Sequence, residues 1–237
     1  MANWITHEYI VDNILSTGLD LDERGFCVGS IAPDCNVENS DWTEFTPSRE
    51  LTHWMCSAKK TDEDYKRFFN EVINEQEFES KEHLSYLLGY YAHLIADVEF
   101  KKFMSDEKHT QRVFERLRAD DKMKKQIEGY PETRDTLKKV YSRWELLNDI
   151  VIYENSYVLK SPDCAYNRIL RNVEQFPDYL GIFPETAIVR KIKIMAYEVN
   201  ESIEQEKYFF FTKEEYEDFI KRTSKKVYEL LLETGCC

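Results

Sequence analysis

The apolar stretch Tyr86-Leu-Leu-Gly-Tyr-Tyr-Ala-His-Leu-Ile-Ala-Asp97 constrains this chain more than any other segment, because His93 and Asp97 interrupt it four residues apart. In a helix such residues lie on one face, about 5–6 Å apart, so an imidazole and a carboxylate project together from a segment expected to be buried. An ionised carboxylate in apolar surroundings needs a cation or strong donors to meet it, and a divalent metal would also recruit the histidine. An ordinary helix histidine bonded to a neighbouring aspartate satisfies the same spacing, so the pair alone does not decide between the two.

The remaining histidines stand at 7, 53, 83 and 109. His7 falls in a segment with apolar residues at 4, 5, 10, 11, 14 and 15, a helical period that sets it on or beside the inward face. Asp34 follows Pro33 in Val28-Gly-Ser-Ile-Ala-Pro-Asp-Cys-Asn36, which reads as a loop able to aim a carboxylate inward. His53 lies in Leu51-Thr-His-Trp54 after Pro47 and the expected cap Ser48. Ligands so far apart in sequence are what separate helices of one bundle contribute. His83 precedes His93 by ten residues, about 15 Å along a helix, too far to share its metal.

With 7 Gly and 6 Pro in 237 residues and long charged periodic stretches, the chain reads as all-α, one multi-helix domain over 1–237. Helices are expected near 5–17, 48–58, 62–77, 80–104, 107–128, 131–160, 164–175, 184–203 and 212–233. Thr61 with Asp64 and Thr212 with Glu215 fit the capping pattern, and Ser80 fits an N-cap.

The order Trp4…His7, Gly29-Ser-Ile-Ala-Pro-Asp34, Thr52-His-Trp54 and Leu88-Gly-Tyr-Tyr-Ala-His-Leu-Ile-Ala-Asp97 resembles the bacterial zinc-dependent phospholipase C family, which includes alpha-toxin catalytic domains and has single-strand nucleases as distant relatives. The resemblance runs through roughly the first 105 residues and is thin beyond them. It implies that Asp34, His53, His93 and Asp97 hold one zinc ion, that Asp97 bridges to another taken also by His7, and that Asp34 serves as general base. The chain departs from the family in two places. Trp4 follows Met-Ala-Asn and has no free amine to offer a metal, and the later His-x-x-x-Glu pair is missing. One or two ions are therefore expected rather than three. His109 reads as an exposed helix-end residue, and Asp106, Glu115, Asp149 and Glu154 are the downstream acids that could complete a further site.

Zinc with an open coordination position lowers the pKa of bound water towards neutrality, and paired metals clamp the oxygens of a phosphoryl displacement. Two aspartates among the ligands exceed the needs of a closed structural site, and no Cys-x-x-Cys occurs. The expected activity is phosphoester or phosphodiester hydrolysis, although manganese, iron or nickel would accept the same ligands. Amide hydrolysis or a condensation on a non-phosphate substrate, and a non-catalytic metal-binding protein, remain as alternatives.

A net charge of −13 without a basic stripe disfavours nucleic acid and anionic membranes, leaving a small-molecule or lipid-derived substrate. The opening Met-Ala-Asn-Trp-Ile-Thr-His has no basic start followed by an apolar core, and six cysteines without a framework suit reduced thiols, so a cytoplasmic location is expected. Cys35 reads as incidental to any metal, and Cys236-Cys237 as a frayed tail with free thiols. Trp42, Phe45 and Trp54 could wall a pocket or fill the core. Tyr90 or Tyr91 could donate to a ligand or substrate oxygen, and Tyr208-Phe-Phe-Phe211 is expected to pack inward.

Overall fold

The computed structural model describes residues 3–41, 43–74, 76–201 and 205–236. Helices α1 (Trp4–Leu15) and α2 (Glu23–Ile31) lead through a 3₁₀ turn (Ala32–Asp34) to a two-strand ribbon. Its strands β1 (Val37–Glu38) and β2 (Phe45–Thr46) run antiparallel, with Val37 opposite Thr46. Short α3 (Arg49–Thr52) and α4 (Asp62–Phe68), which loosens into a π turn, precede α5 (Lys81–Met104). Then come α6 (Glu107–Arg118), α7 (Asp121–Ile127), α8 (Arg134–Val140), α9 (Arg143–Lys160), α10 (Ala165–Arg168), α11 (Ala187–Met195) and α12 (Lys213–Glu233). The all-α expectation holds, the ribbon being a minor ornament. None of these helices is long and apolar enough to cross a membrane.

Helix α5 is the axis. Its residues from Ser85 to Val98 are buried on every face, as required of a helix without a polar side. It packs most extensively against α2, part of which the Gly-Pro segment predicts to be a loop. Asp22 starts α2 by accepting a hydrogen bond from Gly25 N at 2.7 Å. Gly29, in the segment expected to be a loop, and Gly89, within the expected helix, let two helix backbones touch. A Cβ at Gly29 would stand 2.0 Å from the Tyr86 carbonyl oxygen, and one at Gly89 2.2 Å from that of Phe26. Only hydrogen fits at either position.

Other boundaries differ for similar local reasons. The stretch 107–128 is two helices because Asp120 caps a new start, accepting from Lys122 N and Met123 N. Likewise 131–160 is broken at Ser142, whose hydroxyl and Glu145 form a capping box. The helix expected over 48–58 stops at Thr52, and Trp54 adopts a positive φ of 52°. Those expected at 164–175 and 184–203 shorten to single turns and to α11. The caps read at Ser80, Thr61 and Thr212 are all present.

Candidate metal centre

The close α2–α5 approach brings the Ser30 carbonyl to 2.7 Å from His93 Nδ1. A carbonyl only accepts, so Nδ1 carries the hydrogen and Nε2 presents a lone pair. His53, just past α3, is oriented in the same manner: its Nδ1 lies 3.1 Å from the Arg49 carbonyl. Tyr90 secures this turn by donating to the Thr52 carbonyl, so the tyrosine hydroxyl serves backbone beside a ligand rather than a ligand or substrate oxygen. Tyr91 packs against Tyr65.

The two Nε2 atoms therefore face each other at 3.4 Å, both as acceptors. Asp97 Oδ2 lies 3.5 Å from each, and Asp34 Oδ1 lies 3.3 Å from His53 Nε2. Four acceptors crowded together repel one another unless a cation stands among them. The separations among His53, His93 and Asp97, and between His53 and Asp34, are close to those of zinc ligands, for which bonds of about 2.0–2.1 Å in a tetrahedron set neighbouring atoms roughly 3.3–3.4 Å apart; Asp34 and Asp97 fall in different groups. On the other side of Asp97, Oδ1 lies 3.9 Å from His7 Nε2, a buried atom without a hydrogen-bond partner. The His7 ring stacks on His93 with centroids 4.0 Å apart. The two oxygens of Asp97 thus face two sides, and the described residues form two groups able to hold an ion, His7–His93–Asp97 and Asp34–His53–His93.

Electrostatics prepare these groups for a cation. Burial pulls the His7 imidazole down to about 3 and that of His53 to about 4, the latter despite the Asp34 contact. Burial, with His7 alongside, also holds His93 well below its usual value. All three imidazoles are neutral at pH 7 and need not lose a proton to bind metal. Burial would raise Asp34, but the groups that face it, His53 and His93 together with the Lys60 ammonium, outweigh it and keep the carboxyl well below the usual range. Asp34 is also the candidate most open to solvent: 12 % of its side chain is exposed, against 0–1 % for His7, His53, His93 and Asp97.

Sequence reading missed Lys60, whose ammonium contacts Asp97 Oδ2. Burial, and Arg49 nearby, lower it to about 7. Nothing in its spacing marks it, since Lys59-Lys60 reads as ordinary loop charge.

The remaining candidates lie elsewhere. His109 is buried rather than exposed, 3.7 Å from Glu215 and stacked on Phe211. Asp149 accepts from Phe210 N and Phe211 N. Glu154 accepts from Thr6 N, the Thr6 hydroxyl and Asn3 Nδ2, capping the start of α1 and so steadying His7. Asp106 caps α6, and His83 stacks on Tyr179. Cys35 directs its thiol to the Ile31 carbonyl. Trp54 packs edge-on against Phe68, Phe45 is at the surface, and Trp42 and Cys237 lie outside the described residues. Phe210 and Phe211 are buried as expected.

A helical protein that gathers neutral imidazoles and buried aspartates around its central helix has groups able to hold a metal ion. The chain matches the zinc dependent phospholipase C family over residues 6–229 and belongs to it. The likeness therefore extends well past the first 105 residues, through regions where the motifs fade. No curated protein and no solved structure matches the chain.

Proposed function

We propose that this protein is a metal-dependent hydrolase that cleaves a phosphoester bond in a small phosphorylated or lipid-derived substrate, with zinc held by Asp34, His53, His93 and Asp97 and a neighbouring ion shared by Asp97 and His7. The observation that carries this reading is the convergence of acceptor atoms at zinc-ligand spacing with one edge, at Asp34, left open to solvent. A closed structural site has no such edge. Bound zinc would supply a lowered water pKa and charge stabilisation at phosphoryl oxygens.

The protein's own groups divide the remaining work. Asp34, ionised and at the open edge, accepts the proton from the attacking water. Ser30 and Arg49, through their carbonyls, hold the His93 and His53 rings in the tautomer that points Nε2 inward. Lys60, 11 % exposed beside Asp97, stands where it can meet a phosphoryl oxygen as charge builds on it. Buried free thiols at Cys27, Cys35 and Cys164 suit a reducing, cytoplasmic setting.

Hydrolysis of a chromogenic phosphodiester, abolished by a chelator and restored by zinc, is the expected result. His93→Ala should lower kcat/KM by a factor on the order of 10³ or more. Full activity in that variant would overturn the assignment.

A further inference from the structure

One helical turn beyond Asp97, α5 forms a wall of a second concavity, of about 370 Å³, between α5, α6, α8 and α9. Its lining is apolar, with Phe100, Leu137, Leu147 and Phe210 among the contributors. Four basic residues, Lys101, Arg134, Lys138 and Arg143, also line it, and no carboxylate of the described residues does. That concentration of positive charge is unexpected in a chain of net charge −13. Lys138 has an exposed partner in Asp135 at 3.7 Å, but among the described residues Lys101, Arg134 and Arg143 have no carboxylate within ion-pair distance.

A further atom points to a ligand. The Tyr141 hydroxyl is buried without a hydrogen-bond partner and belongs to the cavity wall, whereas His109 Nδ1 faces Glu215 at 3.7 Å. The Tyr141 ring is tied into the fold by its edge-on contact with Phe210. A buried polar atom left unpaired is costly, and a polar head group would recover that cost. A cavity of this size, apolar with a few convergent polar groups, has the build of a small-molecule site.

We propose that this cavity binds an amphiphile with one alkyl chain and an anionic head, a fatty acid or a monoalkyl phosphate such as a lysolipid presents. The chain lies against Leu137, Leu147 and Phe210, and the head meets the basic residues together with Tyr141. The site is separate from the metal centre and does not depend on its activity.

Isothermal titration of the full chain with dodecanoate, dodecyl phosphate and dodecyltrimethylammonium, each below its micelle concentration, tests this. The two anions are expected to bind saturably at one site per chain, the tighter of them naming the head group, and the cation at least tenfold more weakly. Each methylene added from octyl to dodecyl should tighten binding about fourfold, equivalent to about 0.8 kcal/mol per buried methylene. Arg134→Glu combined with Arg143→Glu should weaken the anions tenfold or more, and Leu147→Trp should block them, with thermal melting showing both variants folded. Binding should persist in His93→Ala. Equal affinity for the cation, indifference of folded Leu147→Trp, or loss of binding in His93→Ala, which would move the ligand to the metal centre, would each overturn the proposal.

Discussion

Around Asp97, helix α5 is enclosed by side chains whose polar atoms converge, each held by another part of the fold. Around Lys101, a single turn later, it borders a cavity walled by apolar and basic side chains. The first region is built by helices packed at backbone contact through Gly29 and Gly89, the second in part by α8 and α9, which start at the caps Thr133 and Ser142. Close backbone packing leaves the convergent side chains little freedom to shift. Side-chain packing across short, interrupted helices leaves room for a guest.

The sharpest way to break this contrast is to separate the two backbones. Gly29→Ala places a methyl group against a carbonyl oxygen, and it should cost about 3 kcal/mol or more and carry zinc binding away with it. In the turn that precedes α8, Gly129→Ala meets open space at φ +78° and should cost only about 1 kcal/mol, leaving zinc untouched. Thermal melting and metal analysis of both variants check the pair; equal losses would erase the distinction.

A smaller effect comes from Glu8, which holds α1 to α2 by accepting from Cys27 Sγ and Ser30 Oγ. Burial pushes its carboxyl up to about 8 from the usual 4.5. The folded protein keeps a proton there that the unfolded chain releases, so this contribution is complete below about pH 4.5 and is lost as pH rises through about 8. Relative to Glu8→Gln, the parent should lose about 2 kcal/mol between pH 5 and pH 7, as read from denaturant midpoints. Parallel pH curves for the two proteins would remove the assignment.

Smaller again is the effect of Lys60. Its ammonium competes for the Asp97 oxygen that faces His53 and His93, so Lys60→Met should tighten zinc about tenfold in competition with a chromophoric chelator. Weaker zinc binding would mean that Lys60 orients Asp97 instead of screening it.

The same contrast explains what the sequence made legible. His93 and Asp97 stood out because helical spacing alone places them together, and His7, Asp34 and His53 followed from the resemblance through motifs spread along the chain. The α2 helix did not, because Gly25 and Gly29 look like breakers until a second backbone is placed against them. Lys60 reaches Asp97 across the fold from a loop, and no local pattern announces such a contact. The break at 142 could have been read, since Ser142-Arg-Trp-Glu145 is a capping sequence inside an otherwise helical period. The burial of His109 could not, because its neighbours Phe103 and Phe211 come from distant segments.

Metal content tests the central claim most directly. Purified protein, dialysed against zinc and then desalted, should retain one or two zinc ions per chain by elemental analysis, while Asp97→Ala and His93→Ala, folded by circular dichroism, should retain none at the first site. Zinc retained equally by the parent and both variants, or by none of the three, would contradict it.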